Sequence, residues 1–257
     1  MSVTKLLLVG SGKWGQNYIS TLANFPEVSL TVANRNNWKD LIDQQPDGVM
    51  VCTPPQSHVE IASYALAHDI PTMIEKPLAL SLEEAITLQQ YSAPILVNHT
   101  YLFADSYQYI KRNIGQITDI RSAGIGSNFH SDYSGLWDYG PHDIAMILDL
   151  AQQYPKSICC TKLARLFDIN LEFDGFISYS CVGQSISKIR KLVVDNHNNT
   201  YYDSFYEELP LTNALKVFIG AIHGQPDYRL GLDLSLNVLR VLEKCRELLD
   251  NNTFQIR

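Results

Sequence analysis

A chain of 257 residues is long enough for one large or two modest domains with a sizeable core. Its 46% hydrophobic and 18% charged residues suit an ordinary globular protein, and a net charge of −7 with no basic run argues against a nucleic-acid or anionic-membrane partner. Five scattered cysteines without a C-x-x-C pair point to reduced thiols in a cytoplasmic protein, no signal peptide is expected before the first strand, and no stretch is apolar enough to cross a membrane.

The first predicted strand, Lys5 to Val9, runs into Gly10-Ser11-Gly12-Lys13-Trp14-Gly15 and then a helix from Trp14 to Phe25, stopped by Pro26. In such a strand-loop-helix turn, Gly10 permits the tight bend, Gly12 lets the backbone approach a pyrophosphate, and Gly15 lets the helix pack on the strand. The helix N-terminus then offers N–H groups and a positive dipole end to phosphate. The competing explanation is a glycine turn with no ligand.

Further strands are predicted at Ser29–Ala33, Val49–Cys52, Thr72–Ile74 and Ile95–Val97. Helices alternate with them: a short one at Trp38–Gln44, one at Val59–Ala67, and one capped by Ser81 with Glu84 completing a capping box. This alternation predicts a doubly wound parallel sheet with right-handed crossovers over residues 1–98. After a helix at Asp105–Ile114 the pattern changes. Extended segments dominate: Ile117–Phe129, Ser157–Leu163, Ile169–Phe173, Phe176–Val182, Ile189–Asp195 and Thr200–Tyr206. One helix, about Gly140 to Leu150, interrupts them, and helical patterns at Thr212–His223 and Leu230–Leu249 close the chain. Residues 99–257 therefore read as an α+β domain with a mainly antiparallel, open sheet, its last helix free to pack back on the first domain.

Three constellations could carry chemistry. Glu75-Lys76-Pro77 follows a predicted strand, at the carboxyl end of the sheet's strands, outside which ligands bind in doubly wound folds. Lys76 there could hydrogen-bond a substrate hydroxyl and stabilise a developing alkoxide, or be a surface lysine in a turn. Asp138 and His142 flank Pro141, which is expected at the first helical turn. His142 could take a proton from a hydroxyl with Asp138 fixing its tautomer; alternatively Asp138 is a cap and His142 a core residue. Asp143 is the expected first-turn partner of the helix dipole. Thr53-Pro54-Pro55-Gln56-Ser57-His58 ends a central strand, where backbone could pass under a nicotinamide ribose or simply turn into a helix capped by Ser57. His130, Tyr133 and Tyr206 are further candidates for a substrate pocket. The seven histidines are dispersed and no metal ligand set is predicted.

Together these motifs resemble the Gfo/Idh/MocA oxidoreductase family. The resemblance runs through GSGKWG, DGVMVCTPPQSHVEIASYAL, PTMIEKPLALSLEEA, WDYGPHDI and the C-terminal PLTNALKVFIGAIHGQPDYRLGLDLSLNVLRVLE. It implies a Rossmann domain followed by a substrate domain, and hydride transfer between a nicotinamide cofactor and a sugar or polyol carbon. Lys76, Asp138 and His142 match the family's catalytic positions, with His142 as proton acceptor, Lys76 orienting the hydroxyl and Asp138 in support. Gly10, Ser11, Gly12, Lys13, Trp14, Gly15, Asn34, Arg35, Thr53, Pro54, His58, Glu75 and Lys76 match the cofactor-binding positions. Asn98 to Phe103 with WDYGPHDI is similar to the branch that oxidises nucleotide sugars at the 3-position, so a sugar or nucleotide-sugar substrate is expected. Homodimers or tetramers through the open sheet face are also implied.

Three features depart from the family pattern. Asn34 stands where an acidic residue holds an NAD ribose, and Arg35 follows it, which leans the expected cofactor from NAD toward NADP. The stretch Asn36 to Asp47 is short of the usual extra helix and strand, and the second domain is also short. A non-catalytic NAD(P)-binding sensor or regulator is the alternative to a dehydrogenase.

Overall fold

The protein is described by a computed structural model covering residues 3–127, 135–194, 199–202 and 209–253. The chain divides into two units, Met1–Thr100 with Leu209–Leu236, and Tyr101–Glu208 with Asn237–Arg257. The late segment Leu209–Leu236 thus joins the first unit, although the sequence pattern assigns it to the second domain. Among the described residues no helix is long and apolar enough to cross a membrane.

The first unit is built on five parallel strands, β1 (Thr4–Val9), β2 (Val28–Ala33), β3 (Gly48–Val51), β4 (Thr72–Glu75) and β5 (Ile95–Asn98), in the order β2-β1-β3-β4-β5. All residues of β3, β4 and β5 are buried, as their unbroken apolar runs require for strands covered on both faces. Between them run α1 (Lys13–Leu22), α2 (Trp38–Ile42), α3 (His58–Leu66) and α4 (Leu82–Ile86). Ser81 caps α4 as expected, its hydroxyl accepting from Glu84 N at 3.2 Å. Ser57 occupies the N-cap position of α3, but its hydroxyl turns back to Thr53 Oγ1 at 2.8 Å instead of capping.

The strand order reverses at β1, so the switch point lies between β1 and β3. No strand lies between β2 and β3 among the described residues. β2 is therefore an edge strand, and Ser29, Thr31 and Val32 are exposed along it. The helix α7 (Pro210–Ile222) closes the unit. Gly48 lets it come close, because a Cβ there would stand 2.6 Å from Ile222 Cδ1 and 3.1 Å from Phe218 Cζ.

Among the described residues the second unit holds six strands: β6 (Asp119–Gly126), β7 (Ser157–Leu163), β8 (Leu166–Glu172), β9 (Ile177–Gln184), β10 (Ile189–Val194) and β11 (Asn199–Tyr202). Their order is β11-β10-β6-β9-β8-β7, antiparallel throughout except for the parallel pair β6–β9. Alternation sends Ile120, Ser122 and Gly124 of β6 and Ser178, Ser180 and Val182 of β9 to one buried face. The helix α6 (Gly135–Ala151) packs on these two strands, while α5 (Asp105–Asn113) precedes them in the chain and α8 (Asp233–Thr253) ends the described residues.

The small side chains under α6 are what admit it. A Cβ on Gly124 would overlap the Asp143 carboxylate, and one on Gly126 would overlap the Tyr139 ring. This close packing explains a departure from expectation. The helix starts at Gly135 rather than Gly140, and Pro141 lies inside it rather than in its first turn. Proline in a helix interior forfeits one backbone hydrogen bond and costs about 3 kcal/mol. Fourteen of the helix's 17 residues are buried, and that apolar burial outweighs the local penalty.

Candidate functional site

Gly10 and Gly15 have the backbone geometry that their spacing predicts. Gly10 has φ +104°, a left-handed conformation, and a Cβ there would stand 2.6 Å from Cys52 O, so the loop after β1 lies against the end of β3. A Cβ on Gly15 would overlap the Gly10 carbonyl, which is how α1 starts directly under the turn. Gly12 is the N-cap of α1, and nothing lies within 4 Å of where its Cβ would be. Open space at that position, above the N-terminus of a ten-residue helix, suits the diphosphate of a dinucleotide. Ser11, Lys13 and Trp14 are exposed along the same loop.

Asn34 and Arg35 follow β2 and are exposed. Asn34 Oδ1 accepts from Asn36 N at 2.8 Å, and Asn34 N donates to Asn37 Oδ1 at 2.8 Å. One lone pair of the side-chain oxygen is thus engaged by the loop, while its NH2 group can donate to a ligand.

At the ends of β3 and β4, His58 is 1% exposed. Its Nε2 lies 2.8 Å from Thr53 O and its Nδ1 2.9 Å from Pro77 O. Burial lowers its pKa, and a neutral ring donates to one of these carbonyls at a time. His58 thereby links the loop carrying Thr53 and Pro54 to the one carrying Lys76. Thr53 is half-buried and Pro54 exposed.

β4 runs one residue further than the sequence predicts, through Glu75, which pairs in register with Asn98 of β5. The Glu75 carboxylate is buried and hydrogen-bonded within the unit. Tyr18 Oη donates to its Oε1 at 2.5 Å, Asn98 Nδ2 donates to the same oxygen at 2.7 Å, and Lys76 N donates to Oε2 at 3.2 Å. Asn98 Nδ2 also reaches Tyr18 Oη at 2.8 Å. Glu75 therefore supports the backbone at Lys76, whose half-buried side chain follows at the carboxyl end of the sheet. The Lys76–Pro77 peptide is cis. His99, 3% exposed, places Nε2 3.0 Å from Ser235 Oγ. Burial and then the charge of Lys76 push its pKa down to about 4, so this ring is neutral near pH 7.

In the second unit, Asp138 and His142 both lie within α6, four residues apart, and so share a helix face. Asp138 is 6% exposed and His142 half-buried. Asp143 does not serve the helix dipole as expected. It is fully buried in the body of α6 and ion-paired to the Arg190 guanidinium of β10, which is itself 4% exposed. Burial pushes the Asp143 carboxyl up, while Arg190 and Ser122 pull it back toward the charged form. His130, Tyr133 and Tyr206 lie outside the described residues. Among the described residues no group of three or more metal-ligating side chains forms a site.

Motif reading gave no role to Tyr18 or Arg190 and used Asn98 only in the family resemblance. Tyr18 sits in a helix of mixed polarity, Asn98 at the end of β5 and Arg190 beside Lys191, and only register and helix packing bring them to Glu75 and Asp143.

Residues 22–93 match the family profile described as oxidoreductase family, NAD-binding Rossmann fold (Gfo/Idh/MocA). The rhizopine catabolism protein MocA of Rhizobium meliloti is 25% identical over 163 residues, 55% of this chain and 49% of that protein, so the chain spans about half the length of this curated relative. A candidate oxidoreductase of Magnetospirillum magnetotacticum MS-1 superposes with a TM-score of 0.83 at 26% identity, covering 95% of this chain and 100% of that one. The UDP-N-acetylglucosamine 3-dehydrogenase GnnA of Acidithiobacillus ferrooxidans gives 0.84 at 17% identity, covering 98% and 99%. The myo-inositol dehydrogenase of Lactobacillus casei, in complex with NAD(H) and myo-inositol, gives 0.82 at 17%, covering 96% and 94%. At these last two identities the likeness is one of fold. Residues 22–93, within the first unit, are thus similar to the NAD-binding Rossmann-fold part of that family, and the strand order of the unit is that of a doubly wound sheet.

Proposed function

We propose that the chain is an NAD(P)-dependent oxidoreductase that interconverts a secondary alcohol and a ketone on a sugar or nucleotide sugar. The observation that carries this reading is the glycine loop, whose open Gly12 position and helix N-terminus fit a dinucleotide diphosphate. The nicotinamide, when bound, supplies the hydride acceptor or donor. Lys76 donates a hydrogen bond to the substrate oxygen and stabilises its alkoxide character. His142 takes the hydroxyl proton during oxidation and returns it during reduction, with Asp138 one turn earlier on the same face supporting its basic form. The profile match and the fold likeness to a nucleotide-sugar 3-dehydrogenase and an inositol dehydrogenase support the substrate class.

The cofactor preference in this reading is NADP over NAD. Asn34 brings no negative charge to repel a 2′-phosphate and Arg35 adds a positive one that could pair with it. The outer face of the second sheet is proposed to pair with a second copy of the chain. Ile177, Tyr179 and Ile189 are 39%, 45% and 43% exposed there.

Turnover of UDP- and dTDP-sugars followed by NAD(P)H absorbance tests the function. Lys76→Ala and His142→Ala are each expected to reduce kcat by about a hundredfold or more while cofactor binding persists. Cofactor binding without turnover of any sugar by the native chain would favour a non-catalytic sensor. Undiminished turnover in either variant would remove that residue from its assigned role.

A further inference from the structure

We propose that Tyr101 and Arg190 are positioning residues that hold the His142 ring in place, an inference that rests on the proposed role of His142 as proton acceptor. The Tyr101 and His142 rings meet edge to face, centroids 4.8 Å apart and planes at 79°. The Arg190 guanidinium carbon lies 4.5 Å from the Tyr101 ring centroid. Arg190 is in turn ion-paired to Asp143, the residue that follows His142 on α6. The four side chains therefore form a closed circuit: Asp143 and His142 are adjacent on one helix, Arg190 comes from β10, and Tyr101 from the segment after β5.

Each link has a physical reason. A guanidinium this buried requires charge compensation, and Asp143 supplies it. Gly124 makes room for that pair, since a Cβ there would overlap Asp143 Oδ2 and stand 2.6 Å from Arg190 Nη1. With its head fixed by Asp143, Arg190 presents its cationic plane to the electron-rich face of Tyr101. Tyr101 thus packs against a guanidinium held by a buried ion pair, and its ring limits the rotation of His142. A proton acceptor whose ring turns away from the reacting hydroxyl loses rate even when substrate and cofactor still bind.

The test compares Tyr101→Phe, which keeps the ring, with Tyr101→Leu, which removes it, in the full chain. Carbethoxylation of His142 by diethyl pyrocarbonate, mapped by peptide mass spectrometry, reads ring freedom without any substrate. We expect Tyr101→Leu to raise that rate by about threefold or more, and Tyr101→Phe to restore it close to the native rate. With a turned-over sugar, Tyr101→Leu is expected to lower kcat by about tenfold or more at nearly constant KM, again restored by Tyr101→Phe. NADPH titration and circular dichroism establish that each variant is folded, and Tyr101→Met replaces Tyr101→Leu if the latter is not. An unchanged modification rate in the ring-less variant, or equal impairment in Tyr101→Phe, overturns the proposal. Absence of native turnover would overturn the dehydrogenase reading instead, and the modification rates would still decide the positioning role.

Discussion

Tyr18 Oη donates to Glu75 Oε1 at 2.5 Å, joining the helix behind the glycine loop to the strand end that carries Lys76. Burial, and then the negative charge of Glu75, push the Tyr18 phenol well above its ordinary range, so it remains a donor at any pH the protein survives. Tyr18→Phe leaves Glu75 Oε1 with Asn98 Nδ2 as its remaining side-chain donor. The expected loss is about 1–3 kcal/mol of stability, the usual cost of under-satisfying a buried polar group. Urea unfolding of the two chains measures it, and coincident midpoints would show that the bond contributes nothing net.

The glycines of the loop separate folding from binding. Gly15→Ala drives a methyl into the Gly10 carbonyl and is expected to lower stability by about 1–3 kcal/mol. Gly12→Ala meets no protein atom and should leave the melting temperature unchanged, yet weaken NADPH binding by about tenfold or more by occupying the phosphate's approach. Thermal melts and fluorescence titration read the two effects. Full cofactor affinity in Gly12→Ala would place the diphosphate elsewhere.

Arg35→Ala tests the cofactor preference. If the guanidinium meets a 2′-phosphate, the variant loses about tenfold in NADPH affinity and about twofold or less in NADH affinity. Equal small losses would make Arg35 a solvated surface charge. Asn34→Asp is the reciprocal change, and it is expected to turn the preference toward NADH by repelling the phosphate.

The buried His99 makes stability depend on pH. Its folded pKa of about 4 lies below the unfolded value of about 6.5, so between these values the unfolded chain binds a proton that the folded chain refuses. Stability therefore falls as pH drops through this window, by about 3 kcal/mol in all for a shift of this size. His58, also lowered by burial, acts in the same direction. Unfolding of the native chain and His99→Gln at pH 7 and pH 4.5 isolates the contribution. The native chain is expected to lose about 2–3 kcal/mol more than the variant, and parallel losses would refute the assignment.

The sequence by itself determined the alternation of strands and helices in the first hundred residues, the glycine loop, and the mainly antiparallel character of the second sheet. These are local properties: apolar runs, helical spacing, and glycines at positions where a Cβ would strike Cys52 O or Gly10 O. Tertiary structure decided the rest. Pro141 signals a helix start, yet α6 begins six residues earlier because its buried surface over β6 and β9 outweighs the lost hydrogen bond. The partners of Glu75 are not local either: strand register sets it beside Asn98 and helix packing brings Tyr18 over it. Asp143 reads as a dipole partner, yet Arg190, 47 residues away in sequence, claims it. A partner supplied from a distant strand leaves no periodic or local mark in the chain, since it is selected by the shape and charge of a core that exists only once the chain has folded.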